Sequence, residues 1–338
     1  MELNNKKDPL KDTFTWVYDE EPHATRRREI LREHPEIRSL FGIDTKSKYW
    51  ITLTVSLQVL TAVFMRDASW TFLLITSYIW GGTLNHSLSL GIHELSHNLM
   101  FSKPIHNTFF SFFANLPIAV PYSITFQKYH MMHHQYQGQY NIDPDLPMAW
   151  EGYFFNSAST KALFLFAQPL IYTLVPLANQ YLPFTYLELL QMVIQFTFDF
   201  LVVYLFGIRS LIYLLCSTFF GSSLHPMAGH FVSEHYEWVK GQETYSYYGP
   251  LNKVTYNAGY HYEHHDFPRV PGSRLVHLKA IAPEYYDHLY SHKSWVAVML
   301  RFIFDPSISP FSRIIRPSKR GLYKHSSNTH EKRTNEVK

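Results

Sequence analysis

One cysteine, Cys216, stands among 338 residues, so no intrachain disulfide can form and no zinc or iron–sulfur site can rest on thiolates. Charge is scarce too. Asp, Glu, Lys and Arg make up 17% of the chain, against about a quarter in an average soluble domain. The net charge of +3 gives no reason to expect nucleic acid as a partner. Residues 1–48 lack the short apolar core and small-residue cleavage site of a secretory leader. What is abundant is apolar: 46% hydrophobic and 17% aromatic residues, which exclude a disordered, collagenous or disulfide-stapled chain and point to a membrane. A mean hydropathy of −0.16 still leaves much of the chain outside the bilayer.

Apolar stretches near 49–66 and 69–92 are parted only by Arg66-Asp67, and those near 186–207 and 210–232 only by the region of Arg209. Each has the length of about 20 residues that a helix needs to cross the hydrocarbon. The expectation is an all-α integral membrane protein with four transmembrane helices in two hairpins. Shorter runs at 107–123 and 162–178 contain Pro117, Pro121, Pro169 and Pro176, which suits in-plane or re-entrant helices. Pro22 to Leu40 carries Arg26-Arg27-Arg28 beside Ile30, Leu31, Ile37 and Leu40, and reads as an amphipathic helix broken at Pro35. It lies either on an anionic membrane face or in solvent. Ten Lys and Arg precede the first span and fifteen follow the last, while each hairpin tip has one. Both termini are therefore expected in the cytosol, together with 93–185 and 233–338. The division is a cytosolic segment 1–48, a membrane body 49–317 and a polar, disordered tail 318–338.

Histidine is the excess to be explained, at 20 residues. Three clusters stand out: His93-Glu94-Leu95-Ser96-His97, His130-Met131-Met132-His133-His134 and His261-Tyr262-Glu263-His264-His265. Positions i, i+3 and i+4 share a helix face, so each cluster aims two or three imidazoles at one point. All three fall on the cytosolic side of the expected topology. Two His-x-x-His-His runs arise by chance in roughly a few such chains per thousand, which favours metal binding over surface histidines. Imidazole suits zinc, copper, iron and nickel. Eight histidines exceed the four ligands of one zinc, and two irons held by neutral imidazoles is the economical reading. A rival remains: His93-Glu94-x-x-His97 is the zinc metalloprotease signature, with Glu94 as general base.

Three such boxes around two hairpins are similar to those of the membrane fatty-acyl desaturase and hydroxylase superfamily. Within it, Phe14-Thr15-Trp16-Val17-Tyr18, Glu21-Pro22-His23-Ala24 and Arg26 to Leu31 resemble the sphingolipid Δ4-desaturases. So do Ala114-Asn115-Leu116-Pro117, Gly229-His230-Phe231, Glu234-His235-Tyr236, Glu243 to Asn252 and, most specifically, Gly259-Tyr260-His261 through His264-His265-Asp266-Phe267-Pro268. The resemblance runs from about residue 14 to 317. One departure lies in the second box, where Met132 replaces the usual Asp and Asn141-Ile142-Asp143-Pro144-Asp145 matches the expected acidic stretch only loosely.

The resemblance implies a cytosolic histidine-rich cap holding a di-iron centre, at the endoplasmic reticulum. The implied reaction is O2-dependent desaturation of dihydroceramide at C4–C5 to ceramide, with electrons from NAD(P)H through membrane-bound cytochrome b5 and its reductase. It implies His93, His97, His130, His133, His134, His261, His264 and His265 as iron ligands, with His230 as the ninth in preference to His235 or His225. A sphingolipid C4-hydroxylase or a bifunctional enzyme shares the same site, and a lipid-binding protein without catalysis shares the scaffold. No His-Pro-Gly-Gly haem motif follows His34-Pro35 or His225-Pro226, so the donor is expected to be a separate protein meeting a basic surface that includes Lys319 and Arg320. Tyr245, Tyr247 and Tyr248 are read as interfacial anchors, the last two also as candidate substrate contacts. Glu188, Gln195 and Asp199 share one helix face and are read as packing groups or partners of the ligands. Asn85 and His86 are expected to support ligands rather than to be ligands.

Overall fold

Lipid offers no hydrogen-bond partner, so an apolar stretch in a membrane must satisfy its backbone internally, and helix is the outcome. The computed structural model describes residues 13–179 and 182–318. It is helical apart from one pair of two-residue parallel strands, β1 (Thr15–Trp16) and β2 (Ile314–Ile315), which join the two ends of the described chain. Lys319, Arg320 and the remainder of the polar tail lie outside the described residues. Three helices are long and apolar enough to cross a membrane, and two bent helix pairs bring the candidates to as many as five.

Helix α1 (Pro22–Glu33) is capped by Glu21, whose carboxylate accepts from the backbone N–H groups of His23 and Ala24, and Pro35 opens a 3-10 turn to Leu40. The break falls where the proline predicts it. The apolar face does not lie on a membrane: Ile30 and Ile37 are fully buried against Phe267, Val270, Leu275, Leu278 and Tyr286. The cap itself supplies the apolar partner.

Helix α2 (Ser47–Phe64) leads through a tight turn to α3 (Trp70–Thr76), a π-helical turn Ser77–Gly81 and α4 (Gly82–Ser96). The 69–92 stretch is thus helical throughout and continues past His93. Helix α5 (Pro104–Asn115) and α6 (Ser123–Tyr136) meet at 114°, a broken or re-entrant arrangement about Pro117 and Pro121. After the short α7 (Ala149–Phe154) comes a correction. The 162–178 run is longer than expected: it belongs to α8 (Ala158–Asn179), 22 residues long and, by length and composition, a candidate span. Lys161 made the stretch look shorter. Its ammonium is buried and donates to the backbone carbonyls of Asp305 (2.6 Å) and Ile308 (2.9 Å), so the helix continues through it.

Helix α9 (Tyr186–Phe206) opens on a capping box between Thr185 and Glu188. Helix α10 (Ile208–Gly221) ends earlier than the expected 210–232 span, because the chain turns through Pro226 into α11 (Gly229–Ser233), bent by 44°. Three further helices complete the cap: α12 (His261–Asp266), α13 (Gly272–Ile281) and α14 (Trp295–Phe304). The polar face of α9 is spent on packing. Glu188 pairs with Lys128 (2.9 Å), Gln191 accepts from the Ile124 N–H, and Gln195 accepts from Asn115 and donates to Asp199. Asn85 likewise bonds Gln58, Thr218 and the Pro117 carbonyl, tying α2, α4 and α10 together.

Helices α4 and α10 cross at glycine. A Cβ on Gly221 would lie 2.4 Å from the Gly82 carbonyl oxygen, and one on Gly81 would collide with Ser217. Small residues let backbones approach and set helix positions in a membrane. Gly221→Ala should therefore push the helices apart and cost about 1–3 kcal/mol, read as a lower melting temperature in detergent. Unchanged melting would mean that the crossing is looser than drawn.

Candidate metal centre

The last turn of α4 carries His93 and the residue capping its end is His97, α6 carries His130, His133 and His134, and α12 carries His261, His264 and His265. The short spacing within each helix points the rings to one side, and the helices converge. One ligand atom each from His93, His97, His130, His134 and His264 falls within a group 4.8 Å across, and His133, His235 and His265 form a second such group. His261 joins the second, with its Nε2 2.8 Å from that of His235. The groups adjoin where the rings of His134 and His265 stack at 4.2 Å.

Hydrogen bonding within the protein does not account for these contacts. Nε2 of His130 lies 2.8 Å from Nε2 of His97 and 3.1 Å from that of His134, which is itself 3.1 Å from Nε2 of His264. Nε2 of His235 faces both His133 (3.0 Å) and His261 (2.8 Å). A ring nitrogen has one in-plane lone pair or one N–H, so it serves one such partner. Several nitrogens converging on a point is the geometry of lone pairs aimed at a common cation. Nδ1 of His93, Nδ1 of His264 and Nε2 of His265 are buried without any hydrogen-bond partner among the described residues. Burial first, then the neighbouring imidazoles, hold His261, His264 and His265 well below the ordinary histidine value, so they are neutral as ligands must be. An all-imidazole donor set of this kind suits iron, zinc or copper. Its number and its two-group arrangement fit two ions better than one.

Three of the outer nitrogens are held from behind, which fixes which nitrogen of those rings faces inward. Asp143 accepts from Nδ1 of His133 (2.9 Å) and from the Gly138 and Asp145 N–H groups. Glu234 lies 3.3 Å from Nδ1 of His261, and the Glu243 carbonyl 3.3 Å from Nδ1 of His235. Beneath these, Arg313 pairs with Asp145 (2.5 Å) and Arg316 grips both oxygens of Glu243 (2.6 and 2.7 Å). Burial alone would raise the Asp145 carboxyl, but Arg313 overrides it and keeps the group ionised. From the N-terminal side, His23 Nδ1 donates to Asp266 Oδ1 (2.7 Å) and its Nε2 lies 3.0 Å from Thr244 Oγ1, while Arg26 and Tyr286 also bond Asp266. Glu263 receives the hydroxyls of Ser246 (2.5 Å) and Tyr248 (2.6 Å), and its burial lifts it to about 7.

Other expected residues are placed elsewhere. His230 belongs to neither group: its Nδ1 lies 2.9 Å from Nε2 of His86, whose Nδ1 faces the Gly221 carbonyl at 2.7 Å. His225 uses Nδ1 to accept the Met227 N–H, capping the turn before α11. The hydrogen bonds of Asn85 join helices and Asp199 accepts from Gln195 within α9, so neither is shown supporting a ligand. Tyr245 is buried with its hydroxyl on backbone at 239 and 242, and Tyr247 stacks on Trp295 at 4.2 Å, so neither is an interfacial anchor. Tyr248 reaches Glu263 instead of open solvent. Glu94, the general base of the protease reading, accepts the Gly272 N–H (3.0 Å) at the start of α13, so its carboxylate is engaged in joining two helices. Asp143, Asp145, His23, Asp266 and Arg316 were not singled out as site residues, although the first four lie inside motifs that the sequence displays.

If the grip on the outer nitrogen matters, Asp143→Ala should lower metal affinity by about 10–100-fold. Competition with a chelator on the purified protein reads this directly, and full affinity in the variant would reduce Asp143 to a packing group.

Residues 68–296 match the model of the fatty acid desaturase family, and residues 11–46 match that of the sphingolipid Delta4-desaturases. A sphingolipid delta(4)-desaturase DES1-like protein of Oryza sativa subsp. japonica is 52% identical over 303 residues, 90% of this chain and 92% of that one. Sphingolipid delta(4)-desaturase DES1 of Drosophila melanogaster is 49% identical over 311 residues, 91% and 97% of the two chains. Its counterpart in Mus musculus is 47% identical over 311 residues, 91% and 96%. Two family models and near full-length identity of this degree show that the chain, an oxidoreductase, belongs to the sphingolipid Δ4-desaturases of the fatty acid desaturase family.

Proposed function

We propose that this enzyme introduces the C4–C5 double bond into dihydroceramide, giving ceramide, with molecular oxygen as co-substrate. The observation that carries the reading is the pair of converging imidazole groups in a chain so similar to proteins named as sphingolipid Δ4-desaturases. Acid–base side chains do not cleave an unactivated C–H bond; two irons held by the nine imidazoles would supply the oxidising power when bound. The balance is simple: two hydrogens leave C4 and C5, two electrons and two protons arrive from outside, and dioxygen leaves as two waters. The electrons come from NAD(P)H by way of cytochrome b5 and its reductase at the endoplasmic reticulum membrane, with the cap and both termini cytosolic. In this reading 1–48 is a cytosolic segment closing the cap, 49–317 is the membrane enzyme and 318–338 is a tail.

The ligand set follows the geometry. His93, His97, His130, His134 and His264 would hold one iron, and His133, His235, His261 and His265 the other, with His235 in the place that His230 was expected to fill. His230 and His86 then form a buried pair beside the centre. The chain's own share of the work is positional: it aims the imidazoles at two points and holds them there.

His235→Ala should lose about half of the bound iron and at least 100-fold in turnover, whereas His230→Ala should retain its iron. Metal analysis of the two purified variants decides between them, and the reverse pattern would restore His230 as the ninth ligand.

The activity itself is tested in cells that lack it, by mass spectrometry of their sphingoid bases. Loss of two hydrogens with the double bond mapped to C4–C5 is expected. Gain of one oxygen atom would assign C4-hydroxylation, and neither product, with iron and donor present, would refute the substrate class.

A further inference from the structure

Gln168 sits in the middle of α8, an apolar helix, and is only 1% exposed. Neither its side-chain carbonyl nor its amide nitrogen meets a hydrogen-bond partner among the described residues, and no other buried side chain there leaves two polar atoms bare. An amide so placed is expensive to keep unless something outside the chain pairs with it. The next residue strengthens the point. Pro169 has no N–H, so the carbonyl of Leu165 loses its helical donor in the same turn.

The position relates this amide to the metal groups. One turn further along α8, Tyr172 donates to Asp145 (2.6 Å), whose N–H bonds Asp143, the carboxylate behind His133. The Tyr172 ring lies 4.9 Å from Phe231, next to His230. One turn earlier, Leu165 shares a core with Val298 and Phe302 of α14. That helix begins at Trp295, whose indole Nε1 is a second bare donor, 1% exposed, with its ring 5.9 Å from that of His230. Bare polar groups thus occur on two packed helices beside the centre.

We propose that Gln168 binds the polar head of the lipid substrate, accepting from its C3 hydroxyl and donating to its N-acyl carbonyl, with Trp295 Nε1 as an additional donor. The proposal rests on the dihydroceramide reading above. In that lipid the reacting carbons adjoin C3, which bears a hydroxyl, and C2, which bears the amide; everything beyond C5 is hydrocarbon. A head held near the metal groups has to find polar partners within an apolar wall. Gln168 is a positioning residue here, setting which carbons stand at the oxidant.

The test is Gln168→Met, close in volume and without the amide, measured in the full-length, iron-loaded enzyme. Without substrate the variant should melt at the same or a higher temperature, since a bare amide has been removed. With substrate, kcat/KM for dihydroceramide should fall roughly 10- to 100-fold, mostly through KM. The wild type's preference for dihydroceramide over its 3-deoxy analogue should vanish in the variant. Gln168→Glu keeps an acceptor and should retain that preference. A Gln168→Met protein that fails to fold or melts lower would reveal a structural partner and overturn the proposal, as would a variant that keeps the preference. A wild type that desaturates neither lipid refutes the desaturase reading itself and takes the proposal with it.

Discussion

A buried imidazole turns a lone pair inward most firmly when something holds the nitrogen on its far side. That constraint organises the cap. Nine rings cannot be packed together by apolar contact alone, because each brings a polar edge that water would otherwise solvate. The answer here is a ring of outer partners: Asp143 behind His133, Glu234 behind His261 and the Glu243 carbonyl behind His235. These partners need holding in turn, and two arginines from the far end of the chain do so. The cap is a nested set of polar contacts with the histidines innermost.

The membrane body provides the fixed frame. Glycine-to-glycine approach of α4 and α10 positions the turn that carries His93 and His97, and the glutamine-rich face of α9 locks the bent pair α5–α6 that carries the second box. Polar residues in these helices are thus mostly structural joints. Gln168 is the exception, and its lack of a joint is what sets it apart from Asn85, Gln58 and Gln195, whose amides all find partners.

Much of this was legible in the sequence, because histidine spacing maps directly onto helix faces and apolar length maps onto helices. The three boxes were visible for that reason. His235 was harder to place than His230, since neither lies in a box; the choice depends on how sharply the chain bends after Gly221, and nothing local encodes that bend except Pro226. Helix α8 was underestimated because hydropathy stops at Lys161, and only tertiary contact shows an ammonium satisfied by two carbonyls. Asp266 and Asp145 escaped because their work is long-range: Asp266 meets His23, 243 residues away, and Asp145 meets Arg313, 168 away. Conversely, the amphipathic pattern of Pro22 to Leu40 pointed to a membrane surface as readily as to solvent, whereas its apolar face has a protein partner far along the chain.

The short pairing of Thr15–Trp16 with Ile314–Ile315 has a consequence for biogenesis. Arg313 and Arg316, which flank β2, are among the last described residues that a ribosome would add, and they brace the carboxylates nearest the second histidine group. Insertion of the helices can proceed during synthesis, but the cap closes only once the final segment has emerged and folded back onto the first. A nascent chain arrested shortly before residue 313 would therefore present its histidines without the two arginine contacts that brace the surroundings of the second group.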